Sequence, residues 1–404
     1  MSTKELFNWV EAHITDDPMK LRLKYAGKSN PDFSFSDAIT QIECRRKFSK
    51  KLAGTLAAFP SFYFPTLLSG EQATSDLLAS FHSSFVAEGL PAVDLTAGLG
   101  IDAMHCAARA SDVTAVEYEK LKTDALAYNA SGLHIDNLTP VCDDCQHFIE
   151  TCLASGRKFA TAFIDPARRN ADGSRVFALS DCAPDVTAMM PALSQICRLL
   201  IIKASPMLDI SHTIDALGTK PLSVMAVGTA AECKELLILV DFDSPATETV
   251  IEAVTLTQAG ASTFAFTRTE EKTCAAPPLA DVHEGGYIYE PSPALMKTGA
   301  FRLIADRFHL SVPHPNTHLF TSDKLVEGFP GTAWQVIKVL PYASRVLKRF
   351  AREYPRVNVA VRNFGISADA LRAKLGVTDG GPLRLYGITS ALSGPGLLLT
   401  TPAQ

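Results

Sequence analysis

Seven short apolar runs constrain this chain more than any other feature: PAVDL (91–95), DVTAVEY (112–118), NLTPVC (137–142), KFATAFID (158–165), RLLIIKA (198–204), PLSVMAVG (221–228) and ELLILVDF (235–242). The first five are separated by about 15 to 30 residues of helix-like sequence, a rhythm that predicts βαβ crossovers and a mostly parallel sheet. The last two lie closer together, which predicts an antiparallel pair at the end of the sheet. The fold class expected is α/β, a mostly parallel sheet of seven strands.

The flanks have a different texture. Periodic apolar positions such as Leu6, Val10 and Ile14, the basic run ECRRKFSKKL and the proline-bounded FPSFYFPTLL predict a helical domain over residues 1–85. The α/β region spans 86–272, including a further β-rich stretch, TVIEAVTLTQAGASTFAFT, and leads into a Pro/Gly/Ala linker, TCAAPPLADVHEGG. Small α+β units are expected at 280–330 and 331–404. At 404 residues the chain is long enough for several cores, and 47% apolar with 20% charged residues is ordinary globular composition. No stretch has the length and apolarity of a membrane span, and the N-terminal residues lack a signal-length apolar run, so the expectation is a soluble cytoplasmic protein.

Nine cysteines without framework spacing suit reduced thiols. Cys142 and Cys145 have zinc-knuckle spacing but lack a second ligand pair, so buried thiols are expected there and no metal. His314 and His318 are four apart, but Pro315 between them predicts a turn. The rings of FPSFYFP are expected in a core. The net charge of -5 hides an asymmetry: from Gly331 onward ten Lys or Arg face three acids, leaving this region at +7. Such a tail can attract a polyanion such as RNA, or merely form a solvated helix face.

The chemistry is concentrated where the predicted strands end. DLTAGLGID places Asp94 at the exit of the first strand, then Thr96, Ala97, Gly98 and Gly100 in a turn tight enough for close backbone approach, with a helix N-terminus behind it. It departs from G-x-G-x-x-G and lacks a Walker lysine. Asp94 and Asp102 at its mouth disfavour a pyrophosphate and suit the ammonium and sulfonium of S-adenosyl-L-methionine. Glu117 ends the second strand, 23 residues after Asp94, where an acid can hold ribose hydroxyls. Asp143 and Asp144 follow the third strand, where an acid can accept an adenine amine, although an acid at a strand exit is also the commonest helix cap.

DLTAGLGID, AVEYE, FIDPARRN, IIKASPMLDI and HPNTHLFTSD resemble a family of bacterial class I S-adenosylmethionine-dependent methyltransferases that carry a ferredoxin-like insert and a C-terminal THUMP-like domain. The resemblance covers nearly the whole chain. It implies a Rossmann-like methyltransferase core over 86–272, a ferredoxin-like unit over 280–330 and, over 331–404, a tail related in architecture to RNA-binding THUMP modules. It gives Asp94, Thr96, Gly98 and Gly100 to the cofactor cradle, Glu117 to the ribose, and to the adenine Asp144, at the aspartate place of the usual glycine-aspartate pair, with Asp143 as the alternative. Ser69 to Ser75, with Gln72 and Thr74, match the segment that closes over the methionine end.

Asp165, Pro166, Ala167 and Arg168 occupy the acceptor position after the fourth strand. Enzymes that methylate base amines often have an aromatic ring where Arg168 stands; a guanidinium can stack on a base or grip a phosphate. Lys203 sits inside the apolar fifth run, as a base in a lysine-aspartate-glutamate arrangement completed by Glu232 or Glu235, or as an ion-pair partner of Asp165. The expected activity is methyl transfer to RNA; the alternatives are a small-molecule methyltransferase and a catalytically silent cofactor-binding module that recognises RNA.

Overall fold

The computed structural model describes residues 3–168, 178–244 and 246–403, and two compact units divide the chain: residues 1–222 with 237–247, and residues 223–236 with 248–404.

In the first unit lie β1 (Ala92–Asp94), β2 (Val113–Glu117), β3 (Leu138–Cys142), β4 (Phe159–Ile164), the two-residue β5 (Ala167–Arg168) and β6 (Cys182–Ala183), and β7 (Cys197–Ala204). β1 pairs in parallel with both β2 and β4, β2 with β3, and β4 with β7. Helices Ile101–Ala107, Lys120–Gly132, Cys145–Ser155 and Val186–Ile196 make the crossovers that the spacing of apolar runs predicts. The direction of winding reverses between β1 and β4, and that switch point is where open α/β sheets leave a crevice at their carboxyl ends. β5 and β6 form a separate two-stranded ladder just beyond β4.

The chain goes on through β8 (Ser223–Gly228), β9 (Cys233–Asp241), β10 (Val250–Thr257) and β11 (Gly260–Thr267), and within the second unit β10 pairs in parallel with β8. β10 and β11 come from the extra β-rich stretch, as an antiparallel hairpin. The N–H of Leu222 donates to the carbonyl of Leu239 (2.7 Å) and that of Thr229 to Glu232 (2.9 Å), the falling register of the antiparallel pair expected from the short 228–235 spacing.

Among the described residues six helices precede β1, and the segment FPSFYFP packs between them and the sheet. Phe62 and Phe64 are fully buried in one core with Leu99, Ile101, Met104 and Leu126, which are the residues of the glycine turn and the helices beside it. Gln41, wholly buried, clamps the Phe64 backbone by donating to its carbonyl (2.8 Å) and accepting from its N–H (3.0 Å). Asn129 does the same for Tyr63, at 2.9 and 2.7 Å. Buried amides bonded in both directions fix position as well as satisfy polar groups.

The second unit adds β12 (Tyr287–Pro291), β13 (Phe320–Ser322), β14 (Gly331–Pro341), β15 (Asn358–Arg362), β16 (Arg384–Ser390) and β17 (Gly394–Pro402), ordered β13-β12-β14-β17-β16-β15. Helix Ser344–Glu353 buries Phe350 in a core with Leu371, Leu385, Leu397 and Leu399.

Two minor expectations have definite outcomes. His314 does sit in a turn, its carbonyl accepting from the N–H of Thr317 (3.1 Å) and from its hydroxyl (2.7 Å). The Cys142–Cys145 pair is not buried as expected: Cys142 is exposed and Cys145 half-buried, because β3 is an edge strand whose last residues face solvent. Among the described residues no helix is long and apolar enough to cross a membrane, and no three His, Cys, Asp or Glu side chains stand where they could hold a metal ion.

The β8–β9 hairpin tolerates no side chain at Gly228, where a Cβ would meet the Glu232 carbonyl oxygen at 2.3 Å. Gly228→Ala is expected to cost on the order of 1–3 kcal/mol, read as a lower urea midpoint at unchanged m-value.

Candidate functional site

The site is built at the carboxyl ends of β1 to β4. After β1 the chain turns through Gly98 (φ 55°) and Gly100 (φ 85°) into helix Ile101–Ala107. At Gly100 a Cβ would lie 2.6 Å from Leu126 Cδ1, so glycine is required by space as well as by backbone. The turn is tied to both neighbouring strands: the Leu95 N–H donates to the Phe163 carbonyl and the Ala97 N–H to the Val116 carbonyl, both at 2.9 Å. Asp94 is buried and accepts the Thr96 N–H on Oδ1 at 3.0 Å; no other hydrogen bond or ion pair reaches it among the described residues.

Glu117, also buried, accepts the Gly98 N–H on Oε2 (2.9 Å) and the Glu119 N–H on Oε1 (2.8 Å). One bond to each oxygen orients the carboxylate and leaves lone pairs on both for a further ligand. Asp144 is committed: its Oδ1 accepts the N–H groups of Gln146 (2.8 Å) and His147 (3.4 Å), capping helix Cys145–Ser155. Asp143 instead meets the ring Nδ1 of the exposed His147 at 2.9 Å, a contact that raises the His147 pKa.

Thr96 joins this cradle to the acceptor motif, because its Oγ1 accepts the Asp165 N–H at 2.7 Å. Pro166 is buried and Ala167 exposed; Arg168 contributes its backbone to β5, and its side chain lies outside the described residues, as do Arg169 and Asn170. Lys203, on β7, donates to Asp165 Oδ2 and to Thr74 Oγ1 (3.1 Å), so the lysine does form an ion pair with Asp165. Glu232 is engaged with Lys234.

The Thr74 hydroxyl donates in turn to Asp102 Oδ2, and Asp102 Oδ1 meets Nδ1 of His82 at 2.8 Å. His82, a residue without any motif around it in the sequence, is fully buried. A connected chain therefore runs His82–Asp102–Thr74–Lys203–Asp165, with Gln72 exposed just ahead of Thr74.

Burial alone would raise the pKa of Asp102, but the charge and hydrogen bond of His82, aided by Lys203 and Thr74, outweigh it and bring it down to about 2. Asp94, equally buried but beside the negative Asp102, is pushed well above the usual carboxylate range; the Thr96 N–H and Lys203 only partly oppose this.

A parallel sheet with a winding reversal, a glycine turn and an acid at each strand exit defines a Rossmann-like fold of the class I methyltransferase kind. Over 100% of both chains, at 30% identity and a TM-score of 0.87, this chain is similar to a protein of Porphyromonas gingivalis W83 described as a candidate methyltransferase. Residues 287–330 match a ferredoxin-like domain family and residues 331–402 a THUMP domain-like family. The chain belongs to the bacterial class I S-adenosylmethionine-dependent methyltransferase family with a ferredoxin-like insert and a C-terminal THUMP-like domain. Two further structures match part of this chain at low similarity. One is a candidate methyltransferase complexed with S-adenosylhomocysteine (13% identity, TM-score 0.34, 41% of this chain and 50% of that one). The other is an S-adenosylmethionine-dependent methyltransferase of Agrobacterium tumefaciens (15%, 0.31, 41% and 59%). Likeness at that level decides nothing here. Comparison with curated proteins gave no match.

The two neighbouring aspartates separate by experiment. Asp144→Ala is expected to lower stability by about 1 kcal/mol through the lost helix cap, seen as a lower melting temperature. Asp143→Ala should leave the melting temperature nearly unchanged.

Proposed function

We propose that this chain is an S-adenosylmethionine-dependent methyltransferase that acts on RNA. The observation that carries the reading is the convergence of Asp94, Glu117, Asp143 and Asp165 at the carboxyl ends of β1, β2, β3 and β4 around a turn that excludes side chains at Gly100. The residues fit the cofactor. A buried acid with one oxygen unpaired among the described residues suits a cation, and a carboxylate pre-oriented by two backbone amides suits a ribose diol. Thr96, Ala97, Gly98 and Gly100 would form the cradle, with Asp94 and Asp102 toward the positive end, Glu117 at the ribose and Gln72 and Thr74 at the methionine end. Asp144 caps its helix through Oδ1 alone, while Asp143 accepts the Asp144 N–H and meets His147, so the adenine amine is assigned to this pair of acids.

The bound cofactor supplies an electrophilic methyl group. The chain's own residues align the acceptor and handle its proton, the share of the barrier that positioning can remove. Asp165 stands in the acceptor position with its backbone fixed by Thr96 and its carboxylate by Lys203. Asp165 takes the acceptor proton while Lys203, bonded to its carboxylate, orients it. Pro166 and Arg168 border the same position.

RNA is favoured as acceptor by a feature of the second unit. On helix Ser344–Glu353 the exposed Arg345, Lys348, Arg349 and Arg352 follow i, i+3, i+4, i+7 spacing, one stripe opposite the buried Phe350, and no ion pair or hydrogen bond engages their side chains among the described residues. The THUMP-like match over 331–402 supports the same reading.

Calorimetry should register binding of S-adenosylmethionine and none of NAD; the reverse would sink the cofactor assignment. Incubation with methyl-labelled cofactor and total RNA should label RNA, with a roughly hundred- to ten-thousandfold loss in Asp165→Ala. Labelling undiminished by that change would refute the role given to Asp165. Replacing the four stripe residues by Gln should flatten the salt dependence of RNA binding, lowering the log–log slope by about three on single strands.

A further inference from the structure

Asp94 and Asp102 share one buried setting, 3% and 8% exposed, yet they are provided for unequally. Asp102 has partners on both oxygens: His82 from helix Asp76–Ser83 on Oδ1, and the Thr74 hydroxyl on Oδ2. Lys203 on β7 adds its charge, and Cys106 faces the pair from Asp102's own helix as a neutral thiol whose pKa burial raises further. Asp94 has a single backbone N–H and faces two other carboxyl groups, Asp102 and Asp165, with Lys203 as the cation acting on it. Two carboxylates in a dry site with cationic partners gathered on one of them cannot both stay ionised cheaply; the less provided one holds the proton. What would balance a charge on Asp94 is a further cation.

We propose that Asp94 is protonated in the free protein and gives up its proton when a cationic ligand group, an ammonium or a sulfonium, docks against it. This deepens the proposed function, since it rests on S-adenosylmethionine being the ligand, and it makes cofactor capture a proton-for-cation exchange. The balance is simple: one O–H bond of the carboxylic acid breaks, the proton passes to solvent, and the carboxylate left behind pairs with the incoming cation. His82 is a positioning residue in this scheme, because its hold on Asp102 decides which of the two acids carries the proton. The sign follows: ligand affinity weakens as pH falls, because protons compete with the cation for Asp94.

The test is calorimetric titration of the full chain with S-adenosylmethionine at about pH 6, where the ligand's own amino group is fully protonated, in buffers of different ionisation enthalpy. The expected result is release of up to about one proton per ligand bound, with affinity rising up to roughly tenfold per pH unit, and no release in Asp94→Asn. S-adenosylhomocysteine distinguishes the cation: release with both ligands assigns the ammonium, release with S-adenosylmethionine alone the sulfonium. Binding without proton release between about pH 5 and 7 overturns the proposal while the cofactor reading stands; failure of the ligand to bind overturns the cofactor reading itself. A second readout needs no ligand. The infrared band of a protonated carboxylic acid should be present in the free protein and missing from Asp94→Asn, and its absence from the free wild type overturns the proposal. Asn keeps the oxygen that accepts the Thr96 N–H and removes the penalty of a buried acid, so Asp94→Asn should melt higher than wild type near neutral pH.

Discussion

The hydrogen bond from the Asp165 N–H to the Thr96 hydroxyl, 2.7 Å long, is the tie on which the site depends. It crosses the switch point of the sheet and joins the loop after β1 to the loop after β4. Those are the two loops that must keep a fixed separation if one holds a ligand and the other its reaction partner. The neighbouring backbone bonds, Leu95 to Phe163 and Ala97 to Val116, pin the same loop to the strands on either side. A cradle fixed at three points before any ligand arrives loses little freedom on binding, which is the physical content of preorganisation.

Concentrating acids at strand exits has an electrostatic consequence. Asp94, Asp102, Asp165 and Glu117 would repel one another in a low-dielectric crevice, and each is managed differently. Glu117 is satisfied by two backbone amides, Asp165 by Lys203, and Asp102 by His82 and Thr74. Asp94 alone receives little, a single backbone N–H, and that imbalance is what the proposed proton-for-cation exchange rests on. Two of these groups, Thr74 and His82, come from the segment before β1. The helices ahead of the sheet therefore share its chemistry as well as the core that Phe62 and Phe64 build with the glycine turn.

Much of this was legible in the amino-acid sequence, because strands with crossover helices leave a regular spacing and because Gly98 and Gly100 sit where only a tight turn reads sensibly. The strand-exit acids followed from topology: once DLTAG, VEY and FID are strand ends in one sheet, Asp94, Glu117 and Asp165 must lie along one edge. His82 was not legible. In SFHSSF nothing marks it, and only its complete burial against Asp102, 20 residues on, gives it a role. Gln41 and Asn129 escaped notice for the same reason: a buried amide earns its place through a backbone partner 23 or 66 residues away. The ambiguity of Asp143 and Asp144 was real in the sequence, since a cap and a ligand acid use the same residue type; the bonds from Gln146 and His147 show that Asp144 is a cap.

The basic tail shows how far a charge count can be from a surface. Of its ten cations, Arg362 and Arg384 both grip Glu290, 72 and 94 residues away, with Arg384 also lying over Trp334 at 4.6 Å. Arg372 is engaged with Asp369 and Asp379, and Lys338 with Glu353. The Glu290 pairs are half-buried within the second unit, those of Arg372 and Lys338 meet exposed acids, and in either case a paired charge contributes little field outside. What remains available is concentrated on one helix face about 10 Å long. On the proposed reading the stripe meets phosphates, which position a polyanion without reading its sequence. On the proposed reading, choice of the methylated residue falls to the acceptor side, where Thr96 holds the Asp165 backbone and Lys203 its carboxylate.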